Sequence, residues 1–322
     1  MIRLATIGTS AIARSLVDAV SLADGISVAA VYSRDPDRGQ AFADSIDVPL
    51  AFSDLDELLA SPEVDAVYVA SPNTAHEAQA LAAIRAGKHV LVEKPAVTNA
   101  AAWAGLCREA RDQGVVLLEA MRTEYDPGLD AIRELLPTLG TIRRVQLGYQ
   151  KRSARYDLVL AGQQVNIFDP ALAGGALMDL GVYCVHALVT LFGEPESVQA
   201  ASVIVASGAD GAGSALCTYP GIVAEVLYSK ITTSNLPSEI QGELATLLVD
   251  QIASPTSLTV ERHDGTSTTH VLPPIRHNLV DEVERFVALV ETSGDATRDQ
   301  ELTAATLRVM DAIRAGTAAA RP

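Results

Sequence analysis

The tripeptide Glu93-Lys94-Pro95 follows an apolar segment, residues 88–92, whose composition is that of a buried parallel strand. In a parallel sheet, ligands lie beyond the carboxyl ends of the strands, so a lysine there reaches the reacting part of a bound molecule. The alternative is a solvated lysine, since this residue type is usually exposed without a function. Because the preceding residues are so apolar, the pattern favours a functional role for Lys94.

A second group of polar residues lies in the apolar segment 174–186, which carries Asp179, Tyr183 and His186. On an α-helix these positions are i, i+4 and i+7, which places the three side chains on one face. Leaving such groups buried without partners costs about 1 to 3 kcal/mol each. The pattern therefore predicts that they face each other, a lysine or a ligand. A satisfied core network is the alternative, and for His186 alone it is the preferred interpretation.

A turn of the type that holds phosphate follows the first apolar strand. Its residues are Gly8, Thr9, Ser10, Ala11, Ile12 and Ala13. The usual GxGxxG/A turn uses its first glycine to bend, its second to admit a pyrophosphate to the backbone, and its third small residue to pack helix on strand. Ser10 replaces the second glycine, and its hydroxyl can donate a hydrogen bond to phosphate. We expect dinucleotide binding here, with an ordinary strand-turn-helix as the alternative.

The end of the second strand carries Ser33 and Arg34 where an NAD enzyme usually offers a carboxylate to the ribose 2′-hydroxyl. A hydroxyl and a guanidinium suit a 2′-phosphate, and Arg38 follows one turn later. These residues favour NADP(H) over NAD(H) as the cofactor. In the alternative, NAD(H) binds, Asp35 contacts the ribose and Arg34 is a solvated loop residue.

The strand that precedes the Lys94 strand ends in Ser71-Pro72-Asn73. This strand end also faces the predicted cofactor crevice, so these residues and His76 are expected near the nicotinamide half of the cofactor. Asn73 or Thr74 is suited to cap the helix that follows, and capping alone accounts for Asn73. For His76 a structural role is favoured over a catalytic one.

The elements that must position these residues alternate in type over the first third of the chain. Strands are predicted at 4–7, 28–32, 64–70, 89–93 and 115–119, with helices between them at 11–22, 37–45, 74–86 and 100–113. Two of the helices end near Gly87 and Gly114, as expected of C-cap glycines. This alternation predicts an α/β Rossmann domain with a doubly wound parallel sheet over residues 1–121.

After residue 121 the pattern becomes mostly β. One helix, 129–136, precedes strands predicted at 142–150, 198–206, 214–218, 222–231, 238–242, 245–250, 257–262 and 268–272. Turn residues such as Tyr219-Pro220-Gly221 separate neighbouring strands, which is typical of an antiparallel sheet. Residues 122–322 are therefore predicted to form an α+β domain with a large, mostly antiparallel open sheet. Two terminal helices, 279–292 and 301–315, are expected to pack back against the body.

Composition limits the classes of function. A length of 322 residues suggests two domains, and a net charge of −16 repels nucleic acid and anionic membranes. Three widely spaced cysteines lack metal-ligand spacing, so reduced thiols, no metal site and a cytoplasmic location are expected. The N-terminal residues have the pattern of a strand rather than of a signal peptide. The most apolar stretch, 171–193, includes Asp179 and His186, so we interpret it as a buried helix rather than a membrane span.

Together these motifs resemble the glucose-fructose oxidoreductase / inositol dehydrogenase (Gfo/Idh/MocA) family over nearly the whole chain. The motifs that carry the resemblance are Gly8-Thr9-Ser10-x-x-Ala13, Ser71-Pro72-Asn73, Glu93-Lys94-Pro95 and Gly174-Gly175-x3-Asp179-x-Gly181-x-Tyr183. A more specific similarity, to the branch of dimeric dihydrodiol dehydrogenases and xylose or glucose dehydrogenases, is carried by Glu119-Ala120-Met121, Phe168-Asp169-Pro170 and Gly193-Glu194-Pro195.

The resemblance implies a dinucleotide domain followed by an open-sheet domain, with a homodimer or homotetramer formed through the C-terminal sheet. It also implies that Lys94 is catalytic, that its bond to the following proline is cis, and that Glu93 and Met121 join the cofactor contacts. One departure concerns Arg122 and Glu124, which stand where this branch often has tryptophan and arginine. A changed pocket wall beside the nicotinamide is therefore expected.

The expected activity is hydride transfer between nicotinamide and a secondary alcohol or carbonyl of a sugar, polyol or dihydrodiol. A phenol has a reference pKa of about 10, but a nearby ammonium favours the phenolate. Tyr183 is therefore expected to act as acid/base, with Lys94 activating it and binding the substrate oxygen. Lys94 itself is the alternative proton carrier. Asp179 is expected to orient Lys94 or to hold a neighbouring hydroxyl.

The substrate is expected to be a small polyhydroxylated molecule. Four residues after the first strand of the second domain are candidates to contact it, although for most of them a solvated strand end is the preferred interpretation: Lys151, Arg152, Arg155 and Tyr156. The alternative function, from a different class, is a non-catalytic regulatory sensor that binds dinucleotide on the same fold.

Overall fold

Residues 1–319 are described by a computed structural model of the chain, and residues 320–322, the end of the predicted second domain, lie outside the described residues. The chain divides into two compact units. The first consists of residues 1–122 and 276–304, and the second of residues 123–275 together with the described residues from 305 onward. This division differs from the predicted bounds, because residues 276–304 belong to the first unit rather than to the second.

The first unit contains a six-stranded parallel sheet in the order β3-β2-β1-β4-β5-β6. Its strands are β1 (Ile2–Ile7), β2 (Ile26–Tyr32), β3 (Leu50–Phe52), β4 (Ala66–Val69), β5 (His89–Glu93) and β6 (Leu117–Ala120). Strands β1, β4 and β5 consist almost wholly of buried residues, as expected for a parallel sheet covered on both faces. The strand order reverses between β1 and β4, and ligands bind at such a switch point. The predicted doubly wound parallel sheet is confirmed.

Five helices connect these strands: α1 (Ala11–Val20), α2 (Pro36–Asp44), α3 (Leu55–Ala60), α4 (Asn73–Arg85) and α5 (Ala100–Gln113). The predicted bounds of these helices, where predicted, agree with the structure to within two residues. Gly114 ends α5 in the left-handed conformation, as its sequence position indicated. Both β3 and α3 were absent from the prediction, because each is too short to show a periodic pattern.

The second unit contains an eight-stranded sheet in the order β14-β13-β12-β11-β7-β10-β9-β8. Its strands are β7 (Ile142–Gln150), β8 (Ser197–Ile204), β9 (Asp210–Tyr219), β10 (Ile222–Ser229), β11 (Ser238–Gly242), β12 (Ala245–Val249), β13 (Ser257–Arg262) and β14 (Ser267–Val271). Within residues 1–319, β7 and β10 pair in parallel and the other neighbouring strands of this sheet pair antiparallel. The predicted α+β organisation with a mostly antiparallel open sheet is confirmed.

The helices between residues 122 and 192 are α6 (Arg122–Tyr125), α7 (Pro127–Leu135), α8 (Tyr156–Leu160) and α9 (Val182–Phe192). Within the described chain, one helical stretch, Pro170–Phe192, is long and apolar enough to cross a membrane by length and composition, with a mean hydropathy of 1.6. Its apolar window is 72% buried inside the chain. It packs on β10, where a Cβ added at Gly181 would lie 3.0 Å from the ring of Tyr228. The stretch is therefore the core helix of the second unit.

Two helices follow the second sheet, α10 (Val280–Thr292) and α11 (Thr297–Ala319). Residues 276–304 are joined to the first unit by hydrogen bonds to α5 and β6. The indole Nε1 of Trp103 donates to the carbonyl of Gln300 at 3.0 Å, and Gln300 Nε2 donates to the carbonyl of Leu117 at 3.1 Å. Trp103 is fully buried, so these contacts belong to the interior of that unit.

Candidate active site

Gly8 ends β1 and begins the turn that leads into α1. Its φ is +119°, and a Cβ at this position would lie 2.7 Å from the carbonyl oxygen of Ala70. A side chain is therefore excluded both by the backbone conformation of Gly8 and by the adjacent backbone at Ala70. The backbone of this turn is left open to close approach, which is what a pyrophosphate requires of the first glycine.

The N-terminus of α1 follows directly. Ser10 is the N-cap residue, and its Oγ accepts a hydrogen bond from the amide of Ala13 at 3.4 Å. Ala13 is fully buried, as required of the third small residue in the motif, whereas Ala11 and Ile12 are exposed. A helix N-terminus presents its free amides to an anion. The predicted residues Gly8 to Ile12 thus form a partly exposed, capped helix start that fits the pyrophosphate of a dinucleotide.

The end of β2 carries the residues predicted to select the cofactor. Ser33, Arg34 and Arg38 lie at the start of α2, and both arginines are exposed. The carboxylate of Asp35 caps α2, with its Oδ1 accepting from the amide of Arg38 at 3.1 Å. Asp35 thus fixes the start of α2, and the same strand end also exposes the cationic side chains of Arg34 and Arg38.

The turn after β4 contains Ser71, Pro72 and Asn73. The N-cap position of α4 is occupied by Pro72 and no side-chain capping hydrogen bond is present, so the prediction that Asn73 or Thr74 caps this helix is wrong. Asn73 is instead the first helical residue, because proline's fixed φ already suits entry into a helix. The hydroxyl of Ser71 donates to Gln79 Oε1 at 2.6 Å, which ties the turn to the body of α4.

His76, on α4, is 1% exposed and contacts backbone carbonyl oxygens with both ring nitrogens. Nε2 lies 2.8 Å from the oxygen of Ser71, and Nδ1 lies 3.1 Å from the oxygen of Pro95. Burial lowers the pKa of His76, and the nearby charge of Lys94 acts in the same direction. The imidazole thus joins the turns that follow β4 and β5, consistent with the structural role that the sequence favoured.

The turn that carries Lys94 follows β5. The Lys94–Pro95 peptide bond is cis, as the family resemblance implied. Every other residue from 90 to 97 is buried, and only Lys94 is partly exposed. The amide of Ala96 donates to Glu119 Oε1 at 2.8 Å, so the turn is fixed to the end of β6. Lys94 is therefore the one side chain among residues 90–97 that reaches the surface.

Carboxyl groups are buried close to the lysine turn. Glu93 Oε1 accepts a hydrogen bond from the hydroxyl of Tyr68 at 2.8 Å, and burial raises the pKa of Glu93 against the opposing charge of Lys94. Glu282 on α10 is 1% exposed, and neither of its carboxylate oxygens has a hydrogen-bond partner within residues 1–319. Burial and the charge of Glu93 hold the pKa of Glu282 well above its ordinary value. Met121, like Glu93 a predicted cofactor contact, is also buried.

In the second unit, Asp179 lies in a π-helical turn, Leu177–Gly181, and not in a regular α-helix. Turns of this kind hold one extra residue and are frequent at functional sites. Asp179 Oδ2 lies 2.7 Å from Nζ of Lys230, so it forms an ion pair with a lysine that the sequence analysis did not consider. The side chain of Asp179 is 39% exposed, whereas that of Lys230 is 2% exposed.

The other two polar residues that were predicted to accompany Asp179 lie on α9. Tyr183, on α9, is 7% exposed, and its ring centroid lies 5.8 Å from that of Tyr149. His186 has its own partners, because its Nε2 lies 3.1 Å from Glu124 Oε2 and its Nδ1 lies 3.1 Å from Thr306 Oγ1. Tyr183 and His186 both lie on α9, after the π turn that carries Asp179, and a common face for the three side chains stays a prediction. His186 belongs to a satisfied core network.

Glu124 was expected to change a pocket wall, but the structure buries its carboxylate in the same network. Its Oε2 accepts from the hydroxyl of Thr190 at 3.1 Å and faces His186.

Among the four candidate substrate contacts after β7, Arg152 forms an ion pair with Asp157 and lies 5.3 Å from the ring of Tyr156. Lys151, Arg152 and Arg155 are exposed, as a solvated strand end would be.

The residues that sequence reasoning missed are Lys230 and Glu282. A signal for Lys230 was present, because it follows an apolar strand just as Lys94 does. Glu282 gave no signal, since an acidic residue in the first turn of a helix is common and stabilising at the surface. Chemically, the first unit presents an ammonium at a strand end, and the second presents a phenol one turn beyond a carboxylate.

Two family models match the chain. Residues 2–121 match the oxidoreductase family with an NAD-binding Rossmann fold, GFO_IDH_MocA, and residues 131–248 match the GFO/IDH/MocA C-terminal domain. Scyllo-inositol 2-dehydrogenase (NADP(+)) of Bacillus subtilis is 38% identical, over 98% of this chain and 96% of its own length. Trans-1,2-dihydrobenzene-1,2-diol dehydrogenase of Mus musculus is 35% identical, over 72% of this chain and 69% of its own.

Among solved structures, a 3-ketoreductase from Actinomadura kijaniata in complex with NADP and TDP-benzene has a TM-score of 0.89 and 26% identity, and the match covers 98% of each chain. The suspected family, the fold class and the prediction of an NAD(P)-dependent oxidoreductase are confirmed by these comparisons. Both the Rossmann unit and the open-sheet unit fall within the matched models. The chain belongs to the Gfo/Idh/MocA family of oxidoreductases.

Proposed function

We propose that this protein uses NADP(H) to interconvert a secondary alcohol and a ketone on a cyclic polyol or a sugar. The relatives act on such groups: one is an NADP(+)-dependent dehydrogenase of scyllo-inositol, and another a dihydrodiol dehydrogenase. The observation that carries the proposal is the turn after β5, where Lys94 is the one partly exposed side chain among buried neighbours. That strand belongs to the same parallel sheet as the Gly8 turn, whose open backbone fits a dinucleotide.

The cofactor, when bound, supplies the donor or acceptor of hydride. Its pyrophosphate is assigned to Gly8, Thr9, Ser10, Ala11 and Ile12, its 2′-phosphate to Ser33, Arg34 and Arg38, and its nicotinamide half to Ser71, Pro72, Asn73, His76, Glu93, Lys94 and Met121. Support for the first two assignments comes from the capped start of α1 and from the exposed arginines at the start of α2. His76, Glu93 and Met121 are buried, so their part is to shape the wall behind the exposed residues.

Oxidation of an alcohol also releases a proton, and we assign its transfer to Tyr183 and Lys94. A phenol beside an ammonium passes a proton to and from a substrate oxygen more readily than an isolated phenol does. Lys94 would hold that oxygen, and Asp179 would accept a hydrogen bond from a neighbouring hydroxyl. The ketoreductase from Actinomadura kijaniata has also been solved with a lysine replaced by alanine and with a tyrosine replaced by phenylalanine.

The test supplies the protein with a panel of substrates and with either NADP(H) or NAD(H). Turnover is measured as the change in absorbance of the reduced nicotinamide. The panel contains scyllo-inositol, myo-inositol, aldoses, a dihydrodiol and their keto forms. Turnover with at least one pair is expected, and Lys94→Met and Tyr183→Phe should each lower kcat by a factor of about 10² or more while cofactor binding persists. Arg262→Met is the control, because this cation is exposed on β13 and is not among the candidate contacts of substrate or cofactor. Tight NADPH binding without turnover on any candidate would favour a regulatory sensor instead.

We further propose that the protein is a homodimer or homotetramer formed through the open face of its second sheet. Val203, Leu216 and Val223 are exposed, with relative accessibilities of 57%, 38% and 44%. They share a face, because Val203 pairs with Ala212 and Val223 pairs with Thr218, both at even spacing from Leu216. An apolar face on a β-sheet favours association with a second copy.

The oligomer can be tested by light scattering after gel filtration. Leu216→Arg should lower the mass toward that of a single chain, whereas Leu236→Arg, at a loop residue that is 77% exposed, should leave it unchanged. A monomeric wild type would refute the proposal.

The protein is further assigned to the cytoplasm, because Cys107, Cys184 and Cys217 are buried and unbridged, which suits a reducing compartment.

A further inference from the structure

Lys230 follows β10 and places a charged side chain in the interior of the second unit. Its main chain is held on both sides, since its amide donates to Gly211 O at 2.8 Å and its carbonyl accepts from the amide of Ser153 at 2.8 Å. The side chain is 2% exposed. Lysine is almost never buried to this degree unless its ammonium is paired.

The ammonium of Lys230 is compensated by groups of three kinds. Nζ lies 2.7 Å from Asp179 Oδ2, donates to the carbonyl of Ile167 at 3.1 Å, and lies 4.9 Å from the centroid of the Phe168 ring. Phe168 is fully buried, so the cation and the ring meet away from water, where their attraction is strongest. The Asp179 side chain is 39% exposed, and it connects the buried charge to the surface of the unit.

A second carboxyl group, Asp210, belongs to the same cluster. Its Oδ2 accepts from the amide of Leu177 at 2.7 Å, at the start of the π turn. Burial raises the pKa of Asp210 to about 6, and Lys230 opposes that rise. Gly175 leaves room for this carboxyl, because a Cβ there would lie 1.9 Å from Asp210 Oδ1. The π turn is thus fixed at its start by Asp210 and at its middle by Lys230.

We propose that Lys230 is a positioning residue for the substrate: it holds the Asp179 carboxylate ionised and in one orientation, so that Asp179 accepts a hydrogen bond from a substrate hydroxyl next to the reacting carbon. The inference rests on the proposed function of the site. A carboxylate has about four acceptor sites, so one ion pair does not exhaust its capacity. A carboxylate kept ionised in this way selects substrates with a second hydroxyl, such as a polyol or a diol, over simple alcohols.

The experiment compares Lys230→Met with the wild type in the oxidation of scyllo-inositol by NADP+ from pH 5 to pH 9. The substitution removes the ammonium and keeps an unbranched apolar chain. We expect KM for the polyol to rise about tenfold or more, with kcat less affected. The acid limb of kcat/KM should move to higher pH by about one to three units, because Asp179 loses the cation that favours its ionised form. The Kd of NADP+, measured by fluorescence, should stay within about twofold.

Arg143→Met is the matched control. It breaks an ion pair of similar length, 2.8 Å to Glu243, on the surface of the same sheet, and should change neither KM nor the pH profile. The double variant Asp179→Asn/Lys230→Met shows which carboxyl group, Asp179 or Asp210, causes the shifted acid limb of Lys230→Met. The shifted limb disappears in the double variant only if Asp179 causes it. Adding Asp179→Asn to Lys230→Met should also cost less in kcat/KM than the same change in the wild type.

Lys230→Met that folds and keeps both KM and the acid limb of the wild type would overturn the inference while leaving the proposed function intact. A wild type that turns over none of the panel would instead refute the proposed function, and the positioning role with it. If Lys230→Met does not fold, the thermal unfolding of Asp179→Asn and of the double variant decides. Asp179→Asn takes from the buried ammonium the carboxylate that neutralises it, so the double variant should melt at a higher temperature than Asp179→Asn, and an equal or lower value would overturn the inference.

Discussion

The imidazole of His76 lies 3.1 Å from the carbonyl oxygen of Pro95, the residue after the proposed catalytic lysine. The other ring nitrogen lies 2.8 Å from the carbonyl oxygen of Ser71. Carbonyl oxygens only accept hydrogen bonds, and a neutral imidazole has one N–H, so a neutral ring donates to one of the two. This single side chain joins the two turns on which the nicotinamide half of the cofactor is proposed to lie.

We expect His76→Phe to lower Tm by several degrees, since a buried carbonyl left without its donor costs about 1 to 3 kcal/mol. Turnover should fall more than NADPH affinity does, because the Lys94 turn loses its link to α4. His263→Phe, at an exposed turn of the second unit, is the control. Identical melting of His76→Phe and the wild type would show that the bridge contributes nothing.

The same residue gives a pH dependence with a defined sign. Burial depresses the pKa of His76 in the folded state below its ordinary value of 6.5, so the unfolded chain takes up the proton more readily. Its contribution to stability is therefore present above about pH 6.5 and is lost as the pH falls through the folded-state pKa. Tm measured from pH 8 to pH 5 should fall less steeply in His76→Phe than in the wild type.

The pH dependence of stability that Glu282 contributes has the opposite sign to that of His76. Its pKa is raised well above the usual value by burial and by the charge of Glu93, so the folded state binds the proton more tightly. The stabilising contribution is complete below about pH 4.5 and is lost as the pH rises through the folded-state pKa. Glu282→Gln, which cannot ionise, should raise Tm at pH 8 and change it little at pH 4.5. Glu291→Gln on the same helix is the control, and equal shifts at both pH values in Glu282→Gln would contradict the assignment.

Gly8→Ala tests the phosphate turn. The new Cβ would lie 2.7 Å from the carbonyl oxygen of Ala70 at a φ of +119°, so the turn must shift. We expect a loss of stability of about 1 to 3 kcal/mol, and NADPH affinity lower by about tenfold or more. Gly105→Ala in α5 is the control, because a Cβ at this position would meet Arg108 Nη2 at 4.0 Å, an ordinary contact distance. This substitution should stabilise the protein slightly and leave NADPH binding unchanged. NADPH titration by fluorescence and thermal melting measure both effects.

Cofactor choice is expected to depend on Arg34 and Arg38. Replacing both with alanine removes two exposed cations from the start of α2 and should weaken NADPH binding by about tenfold or more, with little effect on NADH. The double variant should therefore discriminate less between the two cofactors. Arg85→Ala, which breaks a surface ion pair with Glu109, serves as the control. An equal loss of affinity for both cofactors would place the 2′-phosphate elsewhere.

Much of the fold could be predicted because its strands are short apolar runs with clear ends. The bounds predicted for β5, β7, β11 and β13 agree with the structure residue for residue. The strand β3 could not be found, because three residues, Leu50–Phe52, carry no period. The placement of residues 276–304 depends on distant partners such as Trp103, which no local pattern reveals.

The candidate site was predictable in its residue types but not in its pairings. Lys94 could be singled out because it directly follows an apolar strand, at the sheet edge where ligands bind. The partner of Asp179 could not, because Lys230 is 51 positions away in the chain and reaches it only through the folding of β10. The π turn was likewise unpredictable, since it depends on tertiary contacts such as the amide of Leu177 with Asp210.

The π turn at Leu177–Gly181 also makes the direction of the Asp179 side chain sensitive to the number of residues in this segment. A π turn amounts to an α-helix with one inserted residue, so deleting a single codon within it would restore the regular helix. Residues before the deletion would then rotate by about 100° around the helix axis relative to Tyr183. Deleting one residue here would therefore change the direction of the Asp179 carboxylate relative to Tyr183, while the residues of α9 keep their own register.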